Sequence, residues 1–320
     1  MSNPLHSSKF REFLHMADAA SAIWRLSSLP STLPWPKSYA VLGFPIAHSF
    51  SPAIHEAAFS AIGWPGGYGR IEVDGPRLGS VVERIKAIGF SGWNCTAPLK
   101  QEMYRLCDRR ATTAMRLGSV NTVRQERGIL EGHNTDGRGW ALAVEEAFSV
   151  PLTELRILFL GLGGAGAALA RQASWEGSPF LYLANRTVSK ALLLAGEIGA
   201  RSPVEVVAWE EAALLRAATN ADLLVSSLAE DPPFLRNSGF LDRLLRPGLF
   251  ILDLRYWPLE PPLLKAARER GAHGANGLGM LLHQAVLAFE IWTHHPAPLS
   301  IMRKALAVAL SARTEREPVG

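Results

Sequence analysis

Apolar and polar positions along the chain follow two periodicities in turn. A short apolar run at 39–43 predicts a strand, and beyond Pro52 the residues Ile54, Ala57, Ala58 and Ile62 recur at helical spacing. A second strand is predicted over 68–73, a helix over 78–88 and a further short strand over 92–95. Strands alternating with helices point to a largely parallel sheet. The segment 119–124, the Gly128 turn and the run from Ile129 read as a hairpin, which gives that sheet a mixed edge. A helix over 140–148 leads out of this first unit, and Pro151 marks a new start.

The second unit opens on a β-branched and aromatic run at 155–160 that reads as a buried strand. A helix over 167–176 and a strand over 180–184 complete a βαβ unit. Later strands are predicted over 205–208, 223–226 and 249–254, and two apolar helices over 279–293 and 301–313. Ahead of all this, residues 1–36 close on the proline-dense PSTLPWP and read as a short helical arm and linker. Glu12, Asp18 and the lack of an apolar run before a small-residue cleavage site speak against a targeting peptide.

Length and composition narrow the picture further. At 320 residues, with 48% hydrophobic and 19% charged side chains, the chain suits two globular domains rather than one. A net charge of +4 with scattered basic residues argues against nucleic acid as a partner. The apolar stretch 157–170 is too short and too rich in glycine to span a bilayer. Cys95 and Cys107 form neither a CxxC pair nor a disulfide framework, so structural zinc is not expected and a reducing, cytoplasmic setting is. A monomer or a homodimer is compatible with these features.

The strand at 155–160 runs straight into Gly161-Leu162-Gly163-Gly164-Ala165-Gly166. A GxGxxG string alone is weak, but a strand precedes this one and a helix follows it. In that setting the first glycine allows the tight turn, the second lets the backbone approach a pyrophosphate, and the third packs helix against strand. Free N–H groups and the positive end of the helix dipole then favour phosphate. The next strand ends in Asn185-Arg186-Thr187, followed by Lys190, where an NAD site commonly carries an Asp or Glu. A guanidinium bonds a 2′-phosphate bidentately whereas a carboxylate repels it, so the expected cofactor is NADP.

The first unit carries polar clusters beside its strand ends. Ser49 and Ser51, just after a strand and just before a helix, suit either a small anion or a helix cap. Lys100, after the strand 92–95, suits either catalysis or plain solvation. Asn121, Asn134 and Asp136 sit in loops where ordinary Asx turns also occur. His55-Glu56 begins like a zinc-protease motif, but Phe59 stands where the second histidine belongs, so no metal is expected. Cys95 has no paired base, and no GxSxG elbow surrounds Ser49 or Ser51.

Taken together, VLGFPIAHSFSPAIHEAAF, GWNCTAPLK, GSVNTV, GHNTDGRG, GLGGAGAA, NRTVSKA, DLRYWPLEPPLLKAA and GLGMLLHQAVLAFEIW resemble the shikimate dehydrogenase family and its quinate-oxidising relatives over most of 38–293. The resemblance implies an α/β protein. A mostly parallel substrate domain at 37–138, completed by 279–313, would join a Rossmann-type NADP domain at 139–278, with a C-terminal helix returning to the substrate domain and the active site in the cleft. It implies reversible, NADP-dependent reduction of 3-dehydroshikimate to shikimate, a small-molecule substrate. Lys100 and Asp136 would be the catalytic pair, and Ser49 and Ser51 would hold the substrate carboxylate. Thr96, Asn121 and Gln284 would bond ring hydroxyls, with Tyr256 approaching from the NADP domain. Gly161, Gly163, Gly164, Ala165, Gly166, Asn185, Arg186, Thr187, Lys190 and Gly277 would hold the cofactor. A quinate-preferring enzyme and a non-catalytic NADP-binding paralogue are the alternatives.

Three departures from the family pattern stand out. Cys95 and Leu99 replace the usual residues of NVTxPHK. Ser226-Ser227-Leu228-Ala229-Glu230-Asp231 replaces the Asn-x-Thr-Pro-x-Gly-Met turn expected near the nicotinamide, and Asn276 replaces an aspartate.

Overall fold

A computed structural model describes residues 22–316. Residues 1–21, on which the predicted helical arm falls, lie outside the described residues. The chain divides into two units, one made of 22–135 and 284–316 among the described residues, the other of Asp136–His283.

The first unit runs β1 (Ile23–Trp24), β2 (Lys37–Gly43), α1 (Ser51–Ala61), β3 (Gly66–Glu72), α2 (Leu78–Ile88), β4 (Gly92–Cys95), α3 (Lys100–Leu106), β5 (Arg109–Arg110), α4 (Thr112–Leu117), β6 (Thr122–Glu126) and β7 (Ile129–His133). The strands lie in the order β1-β3-β2-β4-β6-β7-β5. β1, β3, β2 and β4 are parallel neighbours, whereas β6 runs antiparallel to β4 and to β7, so the mixed edge expected from the hairpin is present. Leu78, Val81, Val82 and Ile85 form the buried stripe of α2 at i, i+3, i+4 and i+7, and Gly89 in the left-handed region ends the helix.

Residues 22–36 differ from the expected linker. Ile23 and Trp24 pair with Arg70 and Ile71 of β3, covering what would be an open sheet edge. The reason lies in the glycines of β3. A Cβ on Gly69 would strike the Trp24 ring and one on Gly67 the Trp35 ring, so their absence lets two tryptophans lie on the strand. Both rings belong to the core of this unit, 6.0 Å apart.

The second unit runs α5 (Asp136–Phe148), β8 (Arg156–Leu160), α6 (Gly164–Glu176), β9 (Phe180–Ala184), α7 (Val188–Ile198), β10 (Val204–Val207), α8 (Glu211–Asn220), β11 (Leu223–Ser226), α9 (Ser238–Leu244), β12 (Phe250–Asp253), α10 (Pro262–Glu269) and β13 (His273–Asn276). α11 (Leu278–Thr293) begins in this unit and continues into the first, where α12 (Leu299–Arg316) follows. All six strands are parallel, in the order β10-β9-β8-β11-β12-β13. That is the doubly wound dinucleotide-binding order, whose switch point falls between β8 and β11. Ile157, Leu158, Phe159 and Leu160 are all buried, as a strand covered by helices on both faces requires.

The sequence pattern left α7 through α10 unassigned. α7 exposes Leu192 and Leu193, which blurs its apolar stripe, and α10 starts at a proline pair that reads as a loop. α5 begins at Asp136 rather than at 140, because Gly137 and Gly139 hide its first turn from a propensity reading. Among the described residues no helix is long and apolar enough to cross a membrane.

Candidate active site

One end of the first sheet gathers the polar clusters. β2 and β4 are parallel, β6 is antiparallel to β4, and β7 is antiparallel to β6. The C-terminal ends of β2, β4 and β7 therefore lie with the N-terminal end of β6. Ser49 and Ser51 follow β2, Thr96 and Lys100 follow β4, Asn121 precedes β6, and Thr135 and Asp136 follow β7.

Ser49 accepts a hydrogen bond at Oγ from the Ser51 N–H (3.3 Å), and its carbonyl accepts one from Arg70 (3.0 Å). The serine therefore braces the start of α1 and keeps its hydroxyl proton to donate. Ser51, the first residue of α1, is buried and hydrogen-bonds the Tyr68 phenol. Tyr68 donates in turn to Asn94 Oδ1 at 2.6 Å, and burial pushes its phenol well above the ordinary range. Ser49 thus combines a helix brace with a hydroxyl proton open to an anion, whereas the Ser51 proton faces the Tyr68 oxygen and must turn from it to meet one.

Tyr68 stacks on His55, with ring centroids 4.6 Å apart. Among the described residues neither His55 ring nitrogen has a hydrogen-bond partner, and burial holds the imidazole down at about 3. The folded value lies below the ordinary 6.5, so this contribution to stability is complete above pH 6.5 and drains away as the pH falls towards 3. Glu56 works with the opposite sign. Burial raises it to about 7, so its contribution is present below 4.5 and is lost as the pH rises through 7. Comparing wild type with His55→Phe isolates the imidazole. Between pH 7 and 5 the variant is expected to lose about 2 kcal/mol less stability in urea unfolding than wild type; parallel profiles would contradict this.

Beyond β4, Thr96 donates its N–H to Leu42 and accepts at its carbonyl from Leu99, making the turn that starts α3. Lys100 is the first residue of α3 and is partly buried. A cation gains nothing from that position, since the helix dipole favours acids there, so helix stability does not account for it. Cys95 and Leu99, the first of the departures noted above, are buried in the first unit's core. Burial pushes the Cys95 thiol up, far from a reactive thiolate.

Asn121 is 2% exposed, and its amide is held at both its oxygen and its nitrogen. It donates to Thr135 Oγ1 (2.9 Å) and accepts from the Thr135 N–H (2.8 Å) and the Thr122 hydroxyl (3.0 Å). Asn94 donates to Thr122 Oγ1, joining the Tyr68 and Asn121 networks. Asn134 donates to Ser119, so the residues just before Asp136 are tied to the strand ends of the first unit. Asp136 itself is buried and opens α5. Tyr68, Asn94, Thr122 and Thr135 are not singled out by the sequence reading, although Asn94, Thr122 and Thr135 lie inside quoted motifs.

In the second unit a cavity of about 670 Å³ lies at the C-terminal ends of the strands, lined by Gly161, Gly163, Asn185, Arg186, Thr187, Lys190 and the 227–233 turn. Gly161 adopts a left-handed φ of 88° where β8 turns into α6. A Cβ on Gly166 would collide with the Gly161 carbonyl, so α6 packs close to the turn. Among the described residues nothing lies within 4 Å of where a Cβ would stand on Gly163 or Gly164, leaving the first amides of α6, including Ala165, open to a pyrophosphate. The residues present therefore fit a dinucleotide. Asn185 is spent on the loop: its Oδ1 accepts from the Leu162 N–H (2.8 Å) and its Nδ2 donates to Thr187 (2.8 Å). Arg186, Thr187 and Lys190 are exposed.

Two departures gain a structural meaning here. Ser227 donates to the Gly161 carbonyl at 2.7 Å, pinning the altered turn to the glycine loop. Asp231 at the turn's other end pairs with Arg255 (2.7 Å), which also pairs with the fully buried Asp253. Tyr256, partly buried, follows directly on this clamp. Asn276 donates to the Leu259 carbonyl (2.8 Å) and accepts from the Leu278 N–H (3.1 Å), a double role that an aspartate could not fill. Gly277 is buried at the start of α11, and Gln284 is buried further along it. Of the expected residues, the first unit thus contains Ser49, Ser51, Thr96, Lys100, Asn121 and Gln284. The second contains Asp136, Tyr256 and the cofactor set.

A parallel sheet of dinucleotide-binding order, a glycine loop open to phosphate and a separate polar cluster beside a lysine define a nucleotide-dependent oxidoreductase. Residues 41–123 match the family model of the shikimate dehydrogenase substrate binding domain, and 277–307 that of the shikimate 5′-dehydrogenase C-terminal domain. The shikimate dehydrogenase (NADP(+)) of Moorella thermoacetica is 38% identical over 276 residues, 85% of this chain and 93% of that protein. Among solved structures, the shikimate 5-dehydrogenase of Thermus thermophilus in complex with NADP(H) and shikimate is similar with a TM-score of 0.74 and 33% identity, covering 85% of this chain and 99% of that one. The quinate dehydrogenase of Corynebacterium glutamicum in complex with NAD gives 0.76 and 31%, covering 85% and 99%. The chain belongs to the shikimate dehydrogenase family.

Proposed function

We infer that this protein is an NADP-dependent shikimate dehydrogenase, interconverting shikimate and 3-dehydroshikimate. The observation that carries the reading is the polar end of the first sheet, where two serines, a threonine, a buried amide and a helix-opening lysine meet. A ring bearing a carboxylate and several hydroxyls needs that set of groups. Ser49 and Ser51 donate to the substrate carboxylate from the start of α1, whose dipole favours an anion. Thr96, Asn121 and Gln284 meet ring hydroxyls, and Tyr256 contacts the substrate.

Oxidising a secondary alcohol removes a proton from oxygen and a hydride from carbon. Bound NADP supplies the hydride acceptor, and NADPH the donor in the reverse direction. Lys100 Nζ takes the hydroxyl proton during oxidation and returns one to the carbonyl oxygen during reduction. The Asp136 carboxylate orients the lysine and the reacting hydroxyl. Gly161, Gly163, Gly164, Ala165 and Gly166 hold the pyrophosphate, and Arg186, Thr187 and Lys190 hold the 2′-phosphate. Asn185 acts by shaping the loop, and Gly277 keeps the backbone close at the start of α11.

Ser49→Ala and Ser51→Ala are each expected to raise the substrate KM about tenfold or more, the scale of a hydrogen bond to a charged group, with NADP affinity unchanged. If both variants lower thermal stability without moving KM, the serines serve only as a helix brace. The reading as a whole is tested by mixing the protein with 3-dehydroshikimate and either NADPH or NADH. Faster consumption of NADPH supports it, whereas no turnover with either despite binding would leave a nucleotide-binding protein without this chemistry.

A further inference from the structure

The far side of the nucleotide cavity is built by residues outside the glycine loop and the Asn185-Arg186-Thr187 segment. Trp209 follows β10, the neighbour of β9 in the sheet, and Arg236 ends a short 3-10 helix, Pro233–Arg236, after β11. Trp209 is partly exposed and is held edge-on by Phe234 at 5.3 Å between centroids, so it lines the cavity as a braced aromatic wall. Arg186, Lys190 and Arg236 all line the same cavity, and among the described residues none of these side chains has a hydrogen-bond or ion-pair partner. Of the two acids in the lining, Asp231 is taken by Arg255, and Glu230 has no partner among the described residues.

Three uncommitted cations beside one aromatic face make a poor surface for a neutral ligand. They suit a base joined to a phosphate: the ring system meets a π face, and the phosphate meets more than one guanidinium. We propose that Trp209 and Arg236 complete the adenosine 2′-phosphate subsite, Trp209 as the wall for the adenine ring and Arg236 as a second guanidinium for the 2′-phosphate beside Arg186. The proposal rests on the NADP reading and extends it to two residues that no glycine or NRT-type motif contains. Trp209 acts on both phosphorylated and unphosphorylated nucleotides, whereas Arg236 discriminates between them.

Calorimetric titration of the full chain with 2′,5′-ADP and with 5′-AMP, without substrate, separates these roles. Arg236→Gln is expected to weaken 2′,5′-ADP roughly tenfold and to leave 5′-AMP unchanged. Trp209→Leu is expected to weaken both by a similar factor, and Trp209→Phe to restore most of the loss. Should Trp209→Leu fail to fold, the Phe and Gln variants carry the test. Wild-type affinity for both ligands in Arg236→Gln, or unequal losses in the tryptophan variants that spare 5′-AMP, would overturn the assignment while leaving the NADP reading intact. Equal affinity of wild type for 2′,5′-ADP and 5′-AMP would overturn the NADP reading itself, and this subsite with it.

Discussion

Lys100→Ala is expected to lower kcat by about 10²–10⁴-fold while the folded protein still binds NADP, because a positioned acid–base group contributes on that scale. The lysine opens α3 just beyond β4, on the turn that Thr96 and Leu99 close. Binding of the nucleotide belongs to the other unit and should be untouched. Asp136→Asn keeps the shape of the carboxylate and removes its charge, and should also slow turnover. Both groups are proposed to serve one proton transfer, so the double variant is expected to be hardly slower than the worse single one. Turnover like wild type in Lys100→Ala would remove the lysine from the chemistry, and strictly multiplicative losses would show two independent roles.

Arg186→Ala is expected to weaken NADP about ten- to a hundredfold and to leave NAD almost unchanged. The side chain follows β9 directly and is exposed beside the cavity, with no partner among the described residues, so its loss breaks no other contact. Titrating wild type and variant with both nucleotides reads the effect. An equal loss for NADP and NAD would mean that Arg186 acts on some part of the cofactor common to both.

Much of this was legible in the sequence for identifiable reasons. The strand before Gly161 is a continuous apolar run because helices cover both its faces, and the helix after it starts where the glycines permit a tight turn. The stripe Leu78-Val81-Val82-Ile85 declares α2 in the same way. What stayed hidden depends on partners distant in sequence. Trp24 and Trp35 read as part of a linker, since nothing local shows that Gly67 and Gly69 are vacated for them. Asn185 matched a cofactor motif, yet its amide is spent on Leu162 and Thr187. The altered 226–231 turn shows in sequence only as a departure, because its ties from Ser227 to Gly161 and from Asp231 to Arg255 join residues distant in the chain. Trp209 carried no signal at all, because a lone tryptophan after a short strand has no motif.

Oxidation of a cyclic polyhydroxy carboxylate by NADP is the reaction proposed for Lys100 and its neighbours. The most direct test is to follow formation of reduced nicotinamide after mixing the full chain with NADP and either shikimate or quinate. NADP reduction with shikimate, faster than with quinate and faster than with NAD, is the predicted result. No reduction with either acid, by protein shown in the same preparation to bind NADP, would contradict it.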